Sequence, residues 1–92
     1  MALGLRQLRY FLAIADAGAL SRAADSLNVA QSALSHHVAE IERTLGVKLF
    51  DPKARGVTLT TAGHRLHEHA SAILSALSKA EQDVRTFTDA VS

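Results

Sequence analysis

Cysteine is absent from the 92 residues. That absence removes disulfide staples, thiolate catalysis, zinc ribbons and iron–sulfur clusters together. Secreted domains of this size usually need disulfides, so a reducing, cytoplasmic setting is expected. One proline and five glycines exclude collagen-like, elastic and linker-like classes. No apolar run approaches the ~18 residues of a membrane span, and no signal peptide is expected at the start. Internal repeats and low-complexity tracts are missing as well. There is neither a Gly-rich phosphate loop nor a strained nucleophile turn, so an enzyme is not expected.

What is present is a core. Apolar residues make up 48% of the chain, enough for one small folded domain. The net charge of +1 divides unevenly along the chain. Residues 1–65 carry eight Lys/Arg against five Asp/Glu, a balance of +3, and residues 66–92 carry two against four, a balance of −2. A basic front with an acidic back points weakly to a polyanionic partner.

Hydrophobic spacing divides the chain into elements. Leu5, Leu8, Phe11, Leu12 and Ala15 recur at helical spacing within Leu3 to Ala17, and Gly18 follows as a stop. Ser21 is expected to cap a second, short helix with Ala24 and Leu27 on its inner face. Asn28 suits the left-handed turn that would end it. A third helix is expected from about Ser32 to Leu45, with the stripe Leu34, Val38, Ile41 and Leu45 facing inward and Gly46 closing it. The period then changes. Val47 and Leu49, then Val57 and Leu59, alternate as two short strands around the polar turn Asp51 to Gly56. Thr60 or Thr61 is expected to cap a final helix. Along it Leu66, Ala70, Ile73, Leu77, Ala80, Val84, Phe87 and Val91 step by four and three, which is a coiled-coil seam and predicts dimerisation.

The third helix carries the most informative surface. Opposite its apolar stripe lie Gln31, Ser32, Ser35, His36 and Ala39, short or amide-bearing side chains without formal charge. A helix entering a DNA major groove needs small residues for close approach and amide or imidazole groups to read base edges. The short helix and tight turn before it place this helix second in a helix-turn-helix, the reading position. His37 shares the helix and joins the candidates. Lys53 and Arg55 beside Gly56 form a basic wing tip, suited to phosphates or a minor groove. Taken one at a time, a polar helix face and a cationic turn are ordinary surface features; together they describe a winged helix-turn-helix. His64, His67 and His69 do not make a metal site, because His69 falls about 140° from His64 around a helix and no acidic partner completes a ligand set. No metal and no cofactor is expected.

The same residues resemble a known family. Leu5-Arg6-Gln7-Leu8-Arg9-Tyr10-Phe11, Ala17-Gly18 and Leu20-Ser21-Arg22-Ala23-Ala24 are similar to the opening of LysR-type transcriptional regulators. Val29-Ala30-Gln31-Ser32-Ala33-Leu34-Ser35, Ile41-Glu42 and Leu45-Gly46 resemble their recognition helix. Leu49-Phe50, Arg55-Gly56 and Leu59-Thr60-Thr61-Ala62-Gly63 resemble their wing and the start of their linker helix. The resemblance covers about the first seventy residues in order and register.

It implies a mostly α fold: a winged helix-turn-helix over residues 1–60, three helices plus a two-stranded wing, then a long dimerising linker helix over 61–92. It implies a bacterial regulator that binds promoter DNA as a homodimer, at the nucleoid. Gln31, Ser32, Ser35 and His36 would face the major groove, Ser21 would hold a phosphate, Lys53 and Arg55 would take the minor groove or backbone, and Arg22 and His37 join the DNA-binding residues. Regulators of this type continue into an effector-binding domain and form higher oligomers, so this chain reads as the DNA-binding part of a longer protein. A small-molecule effector would act on that missing part.

Three positions depart from the family's habit: Pro52 and His36 stand where Arg is common, and Ser32 where Pro is frequent. Two other readings compete, a coiled-coil module that binds protein and a winged-helix repressor of another family. Salt-dependent binding to duplex DNA separates the first from a DNA-binding protein.

Overall fold

In the computed structural model, residues 3–91 are described, with side chains placed as far as residue 87. The elements run α1 (Leu5–Ala17), α2 (Leu20–Leu27), α3 (Gln31–Leu45), β1 (Phe50–Lys53), β2 (Gly56–Leu59) and α4 (Thr61–Val91). This is the winged helix-turn-helix with a long final helix that the sequence predicts.

Helix α1 begins at Leu5 rather than Leu3, because Gly4 is extended and its N–H donates to Gln7 Oε1 at 3.0 Å. Leu8, Phe11 and Ile14, three residues apart, are the buried face. Gly18 (φ 72°) ends the helix, its N–H bonding the Ile14 carbonyl. Ser21 is not the cap of α2. Ala19 is, in an extended conformation, and no side chain caps the helix. The start falls early because Leu20 already packs into the core, which leaves Ser21 exposed in the first helical turn. Asn28 adopts the left-handed conformation (φ 58°) and closes α2 as its type favours.

In α3, Leu34 and Ile41 are fully buried and Val38 half-buried. Leu45, expected in the same stripe, is 42% exposed. It lies past the edge of the domain, where Gly46 turns the chain away.

The ribbon pairs in a different frame from the one expected. Phe50, Asp51, Pro52 and Lys53 face Leu59, Thr58, Val57 and Gly56 in an antiparallel ladder, leaving Ala54 and Arg55 as the turn. Val47 and Leu49 precede the ladder. The Glu42 carboxylate takes the Leu49 N–H at 2.8 Å and holds Lys48 at 3.6 Å, so this stretch is tied to α3 on one side, while the Thr60 N–H bonds the Leu49 carbonyl at 3.0 Å on the other. Pro52 fits within β1 because the strand has a neighbour on one side only.

Thr60, not Thr61, caps α4. Its Oγ1 accepts the Gly63 N–H at 3.0 Å and donates to the Lys48 carbonyl at 2.7 Å. Gly63 is buried against the Leu49 carbonyl, where a Cβ would overlap the oxygen.

Two apolar clusters hold the domain. In one, Ile14, Ala23, Ala24 and Leu34 fasten α2 and α3 to α1. In the other, Leu8, Phe11, Ile41 and Leu49 receive Ala70 from α4, with Ala62 and Leu66 packed beside it. Packing therefore crosses the expected 60/61 boundary. Beyond Ala70 no described residue of α4 is buried, and the helix projects to give a body 54 Å long and 26 by 21 Å across.

Candidate nucleic-acid interface

The face of α3 turned from the core is open. Gln31, Ser32, Ser35, His36 and Ala39 are all exposed, and helical phase puts them within an arc of about 140°. His37 is not among them. One step further round, it is half-buried with its ring edge-on to Tyr10 of α1, centroids 4.9 Å apart. Its Nδ1 is buried without a hydrogen-bond partner.

Helix α3, like α2, has no side-chain cap at its N-terminus. The first N–H groups of a helix have no partner inside it, so both termini offer donors. They meet at one place. Ser21 and Arg22 of α2, Gln31 of α3 and Arg55 and Gly56 of the wing line an open cleft of about 430 Å³. A helix N-terminus flanked by guanidinium groups favours an anion such as a phosphate. Arg22 is partly engaged already, its Nε and Nη2 both donating to the Ala17 carbonyl at 3.2 and 3.0 Å. That fork closes the C-terminus of α1 and holds the guanidinium at the rim of the cleft. Among the described residues, Lys53 and Arg55 are in no ion pair.

The wing is set against the helices by its backbone. The Val57 N–H donates to the Gly18 carbonyl at 2.9 Å. Gly56, at φ 120°, passes so close to Gly18 that a Cβ would overlap its carbonyl. The backbone of Arg55, the preceding residue, is thereby held near the α1–α2 junction.

Glu40 is a residue that the sequence reading passed over. Its Oε1 lies 3.4 Å from His36 Nε2, and its Oε2 accepts from Gln7 Nε2 at 3.4 Å. The spacing of four between His36 and Glu40 is a signal that sequence alone contains; the tie to Gln7 is not.

The heptad stripe divides along α4. Leu66 and Ala70 belong to the domain core, Leu77 is half-buried and Ala80 exposed. Ile73, Val84 and Phe87 are 45%, 63% and 68% exposed. The side chain of Val91 lies outside the described residues. His67 approaches Asp16 of α1 at 3.4 Å, whereas His64 and His69 are exposed. Among the described residues no three His, Cys, Asp or Glu side chains are grouped to hold a metal, and no helix is long and apolar enough to cross a membrane.

Residues 5–64 match the family described as bacterial regulatory helix-turn-helix protein, lysR family. The nitrogen assimilation regulatory protein nac of Escherichia coli is 42% identical over 90 residues, covering 98% of this chain and 30% of that protein. The HTH-type transcriptional regulator TfdT of Cupriavidus pinatubonensis is 37% identical over 78 residues, covering 85% and 34%. This chain thus spans about a third of the length of such relatives. Among solved structures, the CbnR_DBD-DNA complex superposes with a TM-score of 0.86 at 36% identity, covering 94% of this chain and 99% of that one. A BenM_DBD complex with catB site 1 DNA gives 0.89 at 31% identity, covering 94% and 96%. By sequence along most of its length and by fold, the chain belongs to the lysR family of bacterial regulatory helix-turn-helix proteins.

Proposed function

We propose that this chain is the sequence-specific DNA-binding part of a dimeric LysR-type transcriptional regulator. Helix α3 enters the major groove of promoter DNA, where Gln31, Ser32, Ser35 and His36 meet base edges. Lys53 and Arg55 of the wing take the backbone or the minor groove, and Ser21 and Arg22 a phosphate at the start of α2. The observation that carries this reading is the cleft where two uncapped helix N-termini, Arg22 and Arg55 converge beside the open face of α3. The likeness to the DNA-bound domains of CbnR and BenM supports it.

The exposed stripe of α4 supports a homodimer through residues 61–92, since an apolar surface of that length is otherwise an aggregation hazard. The rest of a longer protein would bind any small-molecule effector and build higher oligomers. The setting is the bacterial cytoplasm, on the nucleoid. The deciding experiment is selection of sites from a random duplex library. Enrichment of a two-fold symmetric site, bound with a steep salt dependence, is the expected result. Binding that is indifferent to both sequence and salt would leave the coiled-coil protein-interaction reading instead.

A further inference from the structure

His36 is 67% exposed on the face of α3 assigned to the major groove. Glu40, one turn along, brings Oε1 to 3.4 Å from its Nε2. That carboxylate is itself tethered. Gln7 Nε2 donates to its other oxygen at 3.4 Å, and Gln7 is steadied in turn by the Gly4 N–H on its Oε1 at 3.0 Å. A neutral imidazole carries one N–H and one lone pair. Facing a carboxylate oxygen, a ring lone pair is repelled and an N–H attracted. At that separation the carboxylate's negative charge favours the neutral form with its proton on Nε2. Nδ1 is then an acceptor, and it is the polar atom left to meet DNA.

The bases differ in what they offer such an atom. In the major groove guanine presents the acceptors N7 and O6, and thymine an acceptor and a methyl group. Adenine N6 and cytosine N4 are amino donors. We propose that Glu40 is a specificity-determining positioning residue that makes His36 an acceptor. It thereby directs the base under His36 towards adenine or cytosine and away from guanine. Gln7, on a helix that need not touch DNA, is the second link. The proposal rests on the DNA-binding reading above.

The test is site selection with the 92-residue chain and its His36→Ala, Glu40→Ala and Gln7→Ala variants, each first shown by circular dichroism to be folded. It is run at one mildly alkaline pH for all four chains. His36→Ala should flatten the preference at one position where the unmodified chain takes adenine or cytosine. Glu40→Ala should move that same position towards guanine by about tenfold, the scale of one base contact. Gln7→Ala should move it the same way by less. A merely structural role would weaken all sites alike and exchange no base. If Glu40→Ala keeps the original base, or alters a position that His36→Ala leaves intact, the positioning role is overturned while DNA binding stands. If Glu40→Ala does not fold, Gln7→Ala decides alone, and an unchanged base there overturns the proposal. If no chain enriches any site, the DNA-binding reading has failed and this inference with it.

Discussion

Gly56 of the wing lies against the carbonyl of Gly18, so near that a Cβ on Gly56 would overlap the oxygen. The neighbouring Val57 N–H donates to that same oxygen at 2.9 Å. The C-cap of α1 thus anchors the wing to the helices. Gly56→Ala meets both a positive φ and an overlap, and should destabilise the domain by about 2–3 kcal/mol. Thermal melting checks this, and affinity for a selected site should fall with it because Arg55 moves. A melt unchanged within a degree would show that the wing is not anchored there.

Gln31 and Arg55 should fail differently. Gln31→Ala removes base readout and should cost ~1–3 kcal/mol on the selected site and little on random DNA. Arg55→Ala should weaken both and lower the salt slope by about one. Titrations on both duplexes at several salt concentrations separate the two; equal losses everywhere would defeat this division.

The heptad stripe should divide in mutation as it does in space. Ala70 is fully buried in the core, so Ala70→Glu places a carboxylate among Leu8, Phe11, Ile41 and Leu49 and should unfold the domain. Ile73→Glu with Leu77→Glu should leave it folded and monomeric, with weak DNA binding. Circular dichroism and sedimentation read the two outcomes. An unmodified chain that sediments as a monomer at micromolar concentration would contradict a dimer through α4.

Glu42 holds the Leu49 N–H at 2.8 Å beside the fully packed Leu49 side chain. Glu42→Ala leaves that amide unpaired and should cost about 1–3 kcal/mol, whereas Glu42→Gln keeps an acceptor and should cost less. Denaturant unfolding of the two variants distinguishes them. Equal losses would mean that the Lys48 ion pair, exposed and weak in principle, matters more than the amide.

Local signals are legible in this sequence because they depend on neighbours a few residues apart. Gly18, Asn28 and Gly46 end the three helices in left-handed conformations, as their types and positions predict. Thr60 caps α4, and helical phase alone separates the open face of α3 from Leu34 and Ile41. Periodicity shows which residues share a face, but not what covers that face.

Everything of that second kind was decided by packing. The start of α2 moved from Ser21 to Ala19 because Leu20 found the core. The ribbon frame moved to Phe50 because Glu42 claimed the Leu49 amide. One unbroken heptad pattern became part core and part open surface because the core cluster takes in Leu66 and Ala70 and leaves Ile73, Val84 and Phe87 exposed. His37 turned to Tyr10, and Glu40 met Gln7 across 33 residues of sequence. Such pairings exist only once the helices are laid against one another, since chain-distant groups meet through the burial of the apolar faces between them.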